Sequence, residues 1–267
     1  MIQLNNKVIE QNHFPDGTLL IKQFISDGPN VIKWNYENDA ELFTLICLVG
    51  HLRSHGYEEY QLVMPYIPHA RQDRVKNEED VFTLKYFCEV INSLNFKLVT
   101  VLDAHSSVAL ALLDRVREIK PWNYIENTIH QIYDNYLPDD DTLMLFYPDE
   151  GAMKRYSSAL NLPFAFGVKR RNWETGVIEG LNLMGEVDMI AGRNVLIIDD
   201  ICSKGGTFYY AAKELKEAGA ANIYLYVTHC ESTIYEGELL KEDSLIKHIF
   251  TTNSLLTAPN EKITIVE

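Results

Sequence analysis

Two adjacent carboxylates stand directly before a glycine-rich loop in the segment VLIIDDICSKGGT, residues 195–207. The apolar run Val195–Ile198 predicts a buried strand that ends in Asp199 and Asp200, and an amphipathic helical run follows the loop. The free N–H groups at a helix N-terminus attract phosphate, and glycines allow close backbone approach. Carboxylates repel phosphate but bind hydroxyls and metals. The segment therefore predicts a ligand with all three features, such as a sugar phosphate.

A second interpretation of the same segment stays open. In it, the Asp and Ser side chains merely cap the predicted helix, Phe208–Ala218. The segment alone gives the two interpretations similar weight.

The elements that must position these side chains alternate along the chain. Apolar runs predict strands over Tyr60–Tyr66, Lys97–Asp103, Thr142–Pro148, Val195–Asp199 and Asn222–His229. Amphipathic runs predict helices over Ala40–Ser54, Thr83–Leu94, Gly151–Leu160 and Phe208–Ala218. This alternation predicts an α/β fold with mostly parallel sheets, in which ligands bind at the carboxyl ends of strands.

The run YLPDDD, which ends at Asp141, combines proline with acidic residues before a predicted strand. We therefore expect two α/β domains, 1–138 and 139–267. The polar stretch Lys169–Leu181 has no clean period and predicts a flexible loop or an extended hairpin.

Composition excludes several classes of binding partner. The chain is 46% hydrophobic, 23% charged and carries a net charge of −14, which argues against non-specific nucleic-acid binding. The four cysteines are far apart, with neither a zinc-site spacing nor a disulfide framework. No apolar run is long enough to cross a bilayer. We expect a cytoplasmic protein that binds small molecules, with no nucleic-acid or membrane partner.

Five segments resemble motifs of the phosphoribosyl pyrophosphate (PRPP) synthetases, in the same order along the chain. The run MPYIPHARQDR, residues 64–74, is similar to their ATP-binding segment P-Y-F-P-Y-A-R-Q-D-R/K. Asp103–His105 resembles their D-L-H, Tyr147–Gly151 their S-P-D-x-G, and Lys169–Arg171 the K-R-R of their catalytic flexible loop. Residues 199–207 resemble the ribose-5-phosphate loop of the type I phosphoribosyltransferase fold.

The resemblance implies two similar type I phosphoribosyltransferase-type domains, with ATP bound by the first and ribose phosphate by the second. It implies transfer of the β,γ-diphosphate of Mg-ATP to the 1-hydroxyl of a ribose 5-phosphate unit, with AMP as the second product. The implied ATP-binding residues are Phe14, Asp16, Arg71, Gln72, Asp73 and His105, and the implied Mg²⁺ ligands are His105, Asp149 and Asp199. The implied ribose-phosphate residues are Asp199, Asp200, Ser203, Lys204, Gly205, Gly206 and Thr207, and the implied catalytic residues are Lys169 and Arg171.

Two departures from the family pattern leave alternatives open. Ser203 and Lys204 replace the usual Asp-Thr. In one interpretation the added cation serves a longer anion, such as the diphosphate of ADP-ribose, an acceptor that belongs to NAD metabolism. In the other the change is drift, with Lys204 pointing to solvent and ribose 5-phosphate as the acceptor. Thr18 replaces the family's Glu in the segment F-S-D-G-E, which reaches the adenine of a neighbouring subunit.

The family forms dimers that pack into hexamers. This chain is expected to be shorter than the family at both ends, so a homodimer or a hexamer is expected. A non-catalytic regulatory paralogue of a PRPP synthetase is the alternative function. A simple phosphoribosyltransferase is disfavoured by the ATP-like segment.

Overall fold

A computed structural model describes residues 1–25, 28–137, 142–171, 178–257 and 260–267, without the side chains of 169–171 and 178–179. The chain divides into two compact units, Met1–Lys120 and Pro121–Glu267. None of the helices described in these ranges is long and apolar enough to cross a membrane.

The first unit is built on a sheet that is largely parallel. Its elements are β1 (Ile2–Leu4), β2 (Lys7–Val8), β3 (Asn12–His13), β4 (Leu19–Leu20), β5 (Val31–Trp34), α1 (Ala40–Ser54), β6 (Gln61–Val63), α2 (Thr83–Ser93), β7 (Leu98–Leu102), α3 (Ser107–Leu112) and β8 (Val116–Ile119). The sheet has the order β2-β1-β5-β6-β7-β8, and the strands from β5 to β8 run parallel. β3 and β4 form a separate hairpin. The loops after β6 and β7 therefore leave the same edge of the sheet.

The second unit carries a longer, mostly parallel sheet. Its elements are α4 (Trp122–Tyr136), β9 (Leu143–Tyr147), α5 (Glu150–Tyr156), β10 (Phe164–Arg171), β11 (Ile178–Gly185), β12 (Asn194–Cys202), α6 (Gly206–Glu217), β13 (Ile223–Cys230), β14 (Ile246–Thr251) and β15 (Ile263–Ile265). The order is β11-β10-β9-β12-β13-β14-β15, and β11 is antiparallel to β10. The prediction of an α/β fold with mostly parallel sheets is confirmed.

Each face of this second sheet packs on different helices. Val195 and Ile197 of β12 lie in one apolar cluster with residues of α6, such as Phe208. Leu196 and Ile198 lie in the other cluster, with residues of α4 and α5. This division follows from the two-residue period of a strand, which sends successive side chains to opposite faces.

The helix α4 belongs to the second unit, although the sequence-based boundary assigns it to the first domain. Its buried Ile125 and Ile132 pack in the same cluster as Leu143 of β9. The predicted boundary itself, at Asp139–Asp141, lies outside the described residues.

The polar stretch predicted as a loop or hairpin has strand character in its described part. Lys169 pairs with Leu181 and Arg170 with Gly180 across the antiparallel β10–β11 ladder. The extended-hairpin alternative is therefore correct for the two described arms.

Candidate functional site

The glycine-rich loop of the second unit leads into α6 without a side-chain cap. Gly205 is the N-cap residue, with φ of 79°, and as a glycine it has no side chain with which to cap the first turn. A side chain at Gly205 would also collide with Leu239, because a Cβ there would lie 2.3 Å from the Leu239 Cδ1 atom. The N-cap position of α6 is therefore occupied by glycine and not by Asp or Ser, and the helix begins one residue later, at Gly206.

A short 3-10 helix, Ser232–Glu236, and the residues after it pack directly on this loop. A Cβ at Gly237 would lie 2.0 Å from the carbonyl oxygen of Lys204, so only glycine fits there. The Lys204 ammonium lies 2.8 Å from a carboxylate oxygen of Glu236, and both side chains are about two-thirds exposed. The residue that departs from the family pattern thus lies at the outer rim of the loop with an acidic partner.

The two carboxylates of β12 lie within the strand and not beyond its end. Ladder pairing with β13 continues from Asp199 to Cys202, which makes the strand longer than the predicted Val195–Asp199. Asp200 is buried and forms an ion pair with Arg155 of α5, with an N–O distance of 2.9 Å. Asp199 is half-buried. The pKa of the Asp199 carboxyl is raised well above its usual value. Burial is the largest cause, and repulsion from Asp200 and Asp149 adds to it.

Asp149 follows β9 and caps the N-terminus of α5. Its carboxylate accepts hydrogen bonds from the backbone N–H groups of Gly151 and Ala152, at 3.0 and 3.1 Å. The repulsion between Asp149 and Asp199 is the feature that a cation would relieve. Among the described residues no three His, Cys, Asp or Glu side chains are grouped to hold a metal by themselves. A carboxylate pair suits Mg²⁺, which keeps several waters and takes further oxygens from substrate phosphates.

In the first unit, the predicted ATP segment is tied to the loop that carries His105. Asp73 accepts a hydrogen bond from Ser106 at 2.7 Å, and Ser106 is also the N-cap of α3. The Arg74 guanidinium hydrogen-bonds both carboxylate oxygens of Asp73, at 2.7 and 3.1 Å. These hydrogen bonds from Arg74 and Ser106 lower the pKa of Asp73 to about 2. Asp73 thus links the loop that carries Arg74 to the loop that carries Ser106.

Other side chains of this segment are also anchored. Gln72 accepts a hydrogen bond from Thr83 at the start of α2, at 2.8 Å. His69 contacts the Asp39 carboxylate at 3.0 Å. Arg71 is exposed and His105 is half-buried.

The hairpin β3–β4 carries the two remaining residues predicted to bind ATP. Phe14 is half-exposed at its tip, and Asp16 accepts hydrogen bonds from the backbone N–H and the hydroxyl of Thr18, at 3.0 and 2.7 Å. Thr18, which replaces the family's Glu, therefore stabilises the turn between β3 and β4 through its hydrogen bonds to Asp16.

The predicted catalytic residues Lys169 and Arg171 lie on β10, but their side chains are outside the described part of the structure. Sequence reasoning missed Arg155, Ser106 and Glu236. Each of these partners is 32 or more residues from the group it contacts, so no local pattern marks it.

The mostly parallel α/β sheets place the protein in a class defined by its fold, the type I phosphoribosyltransferase fold. A family model described as phosphoribosyl synthetase-associated domain matches residues 175–265. The structure is similar to a phosphoribosylpyrophosphate synthetase from Mycobacterium smegmatis, with a TM-score of 0.76 and 17% identity over 97% of this chain and 85% of that one. This likeness establishes the fold.

Sequence comparison is more specific. A "Ribose-phosphate pyrophosphokinase 1" from Listeria innocua is 31% identical over 94% of this chain and 78% of that protein. Ribose-phosphate pyrophosphokinases from Pyrococcus abyssi and Thermococcus kodakarensis are 30% and 29% identical over 97% of this chain, and 88% and 89% of theirs. The chain belongs to the ribose-phosphate pyrophosphokinase family, a family of transferases.

Proposed function

We propose that this protein transfers the diphosphate of ATP to the 1-hydroxyl of a ribose 5-phosphate unit. The hydroxyl oxygen forms a bond to the β-phosphorus, and the bond from that phosphorus to the oxygen it shares with the α-phosphate breaks. AMP leaves, the hydroxyl proton is lost, and the product is PRPP or a PRPP-like compound. Mg²⁺ would neutralise charge on the phosphates. The residues proposed to bind Mg-ATP are His105 in the first unit and Asp149 in the second, and Asp199 and Asp200 are proposed to bind the ribose hydroxyls and a second Mg²⁺.

One observation carries the proposal: the glycine N-cap at the start of α6, with Asp199 on the preceding strand. Backbone N–H groups there suit a 5-phosphate, and the carboxylate suits sugar hydroxyls or a metal. The loop Ser203–Thr207 would hold the phosphate. Close packing at Gly205 fixes its shape before the substrate arrives.

The remaining roles rest on the family resemblance together with each residue's place in the fold. Arg71 and Gln72 would hold the nucleotide, with Phe14 and Asp16 near its base. Lys169 and Arg171 would stabilise the charge that develops on the transferred diphosphate.

A second acceptor, ADP-ribose, is favoured by Lys204. Its ammonium is largely exposed beside the loop, so it is accessible to an anion that extends beyond a single phosphate. Glu236 already neutralises that cation, so a longer anion must displace the Glu236 carboxylate. Ribose 5-phosphate requires no such displacement.

The deciding experiment measures AMP release from Mg-ATP with ribose 5-phosphate and ADP-ribose in parallel. AMP with either acceptor supports the proposed reaction, and the larger kcat/KM identifies the acceptor. AMP with neither acceptor favours the non-catalytic paralogue, and pyrophosphate release from PRPP with a base would indicate a simple phosphoribosyltransferase.

Two variants sharpen the choice of acceptor. Lys204→Thr restores the residue usual in the family, and Glu236→Gln frees the Lys204 ammonium. If ADP-ribose is the acceptor, Lys204→Thr lowers its kcat/KM by about tenfold and Glu236→Gln raises it, since hydrogen bonds to charged groups contribute about 1.5–3 kcal/mol. Equal effects on both acceptors would show that Lys204 does not select between them.

A further inference from the structure

The loop that carries His105 follows a strand with a neighbour on each side. It follows β7, which lies between β6 and β8 in the sheet of the first unit. The loop begins at Asp103, which is buried and has a positive φ of 42°. Residues other than glycine adopt this conformation only where surrounding contacts maintain it. One such contact is the Asp103 N–H, which donates to the carbonyl oxygen of Ile119 at 2.9 Å.

Glu118 of β8 supports this loop from one side. Its Oε1 atom accepts a hydrogen bond at 3.1 Å from the backbone N–H of Ala104, the residue immediately before His105. The Glu118 side chain is only 13% exposed, and its Oε2 atom pairs with the ammonium of Lys120. Hydrogen bonds to an ionised carboxylate are stronger than those between neutral groups. The Ala104 backbone is therefore firmly attached to the neighbouring strand.

Asp73 supports the loop from the other side, through the residue immediately after His105. The Ser106 hydroxyl donates to the Asp73 carboxylate, which belongs to the loop after β6. The Asp73 side chain is 12% exposed, much like that of Glu118. The residues before and after His105 are thus bonded to two mostly buried carboxylates from different parts of the first unit.

We infer that Glu118 is a positioning residue, which holds the backbone of residues 104–106 so that the His105 side chain is presented to the nucleotide. This inference rests on the proposed function, because it takes His105 as a group that binds Mg-ATP. Glu118 acts as a hydrogen-bond acceptor that reaches the Ala104 N–H, and Lys120 neutralises its charge. The length of the side chain and its oxygen therefore matter more than its charge.

Four variants separate the reach of this side chain from its charge. Glu118→Gln keeps an oxygen acceptor at the same distance, whereas Glu118→Asp keeps the charge but is shorter by one methylene. Glu118→Met removes the acceptor and the charge together, and Lys120→Met removes only the paired cation. Glu59→Met is the matched control, because it makes the same chemical change at an exposed carboxylate that pairs with Lys97.

The first readout needs neither metal nor substrate. NMR measures the hydrogen-exchange rate of the Ala104 amide in the free protein, which reports local opening. We expect Glu118→Met and Glu118→Asp to raise this rate by about tenfold or more, because the N–H loses a charged acceptor. Glu118→Gln, Lys120→Met and Glu59→Met should keep the rate within about twofold of the wild-type value.

The second readout compares the two substrates. We expect KM for ATP to rise by about tenfold in Glu118→Met and Glu118→Asp, and KM for ribose 5-phosphate to stay constant, because His105 lies in the unit assigned to ATP. Glu118→Gln should retain both wild-type values. A merely structural role would instead lower the amount of active protein and leave both KM values unchanged.

Three results would overturn the inference. If Glu118→Gln is as impaired as Glu118→Met, the charge matters and not the acceptor. If the Ala104 exchange rate is unchanged in Glu118→Met, the hydrogen bond does not hold the loop. If that rate rises while KM for ATP stays constant, the loop does not position a group that binds the nucleotide. Circular dichroism checks that each variant is folded, and Glu118→Asp carries the test if Glu118→Met is not.

Failure of the proposed function is recognised separately, because the wild-type protein would then release no AMP with either acceptor. Titration calorimetry of ATP without metal replaces the KM measurement in that case. The inference still predicts a Kd about tenfold higher in Glu118→Met and Glu118→Asp than in the wild-type protein. An unchanged Kd in these variants, or no ATP binding by the wild-type protein, would reject it.

Discussion

The predicted ATP segment of the first unit and the predicted phosphate loop of the second are held in place by different forces. The first is anchored by hydrogen bonds between side chains, such as Ser106 to Asp73 and Thr83 to Gln72. The second is fixed by close packing of Gly205 on the Leu239 side chain and of Gly237 on the Lys204 backbone. Each hydrogen bond near water contributes only modestly to the free energy of unfolding. A closely packed segment, in contrast, cannot shift without a steric clash. We therefore expect the first loop to tolerate substitution and adjust, and the second to be rigid before substrate binds.

The largest effect should come from Gly237→Ala. The added methyl group would lie 2.0 Å from the Lys204 carbonyl oxygen, so the loop or the segment beside it must move. We expect a loss of about 1–3 kcal/mol in the free energy of unfolding, typical of overpacking. The kcat/KM for the acceptor should fall by about a hundredfold, and KM for ATP should change little, since transition-state contacts depend on sub-ångström placement. Urea unfolding measures the free energy of unfolding, and initial-rate kinetics measure kcat/KM for the acceptor and KM for ATP.

Gly50→Ala is the matched control, because it makes the same chemical change in the first unit. Gly50 lies within α1, and none of the described atoms is within 4 Å of a Cβ placed there. Alanine should raise the free energy of unfolding by about 0.5–1 kcal/mol, because glycine is unfavourable in a helix. A similar loss of activity in both variants would contradict the proposed difference between the two regions.

Much of the fold that carries these two loops could be foreseen from the sequence. The predicted range of α1, Ala40–Ser54, coincides with the observed helix, because its apolar residues and length leave no competing pattern. The prediction that polar segments follow parallel strands also holds for β6, β7 and β9. Assignments of individual site residues remain predictions.

Other features depend on contacts that no local pattern records. Leu239 selects glycine at position 205 from 34 residues away, and Arg155 reaches Asp200 across 45 residues. The short strands β2, β3 and β4 have two residues each, which is too few for an alternation to be detected. The helix α4 is different, because Ile125, Ile129 and Ile132 have helical spacing, so a local pattern that predicts it was present in the sequence and was missed.

Asp73→Asn should have the next largest effect, and it acts on the first unit. The amide weakens the hydrogen bonds from both Ser106 and Arg74, so the predicted ATP segment is less firmly tied to the loop of His105. We expect KM for ATP to rise about tenfold, in line with the loss of hydrogen bonds to a charged group, and KM for the acceptor to stay constant. Stability should change by less than about 1 kcal/mol, because Arg74 is exposed and its ion pair is screened by water. Glu79→Gln, the same change at an exposed residue nearby, should have no effect.

Low pH should weaken the same hydrogen bonds from Ser106 and Arg74 to Asp73, because it protonates the carboxylate. The pKa of Asp73 is lowered to about 2 from 3.8, so the folded protein favours the carboxylate. The contribution of the Asp73 carboxylate to the free energy of unfolding is complete above about pH 4, and it is lost as the pH falls toward 2. A carboxyl NMR titration should give a midpoint near 2 for Asp73, and Ser106→Ala should raise it. A midpoint at or above 3.8 in the wild-type protein would show that the anchor does not form.

The smallest effect should come from Thr83→Val, which removes the hydrogen bond to Gln72 and keeps the shape of the side chain. Both partners are near water, where a neutral hydrogen bond contributes about 0.5–1.5 kcal/mol net. We expect KM for ATP to rise by about threefold and kcat to be unchanged, with Thr83→Ser retaining wild-type values. If Thr83→Val instead matched the loss in Gly237→Ala, the first loop would be as rigid as the second, and the contrast between polar anchoring and steric packing would fail.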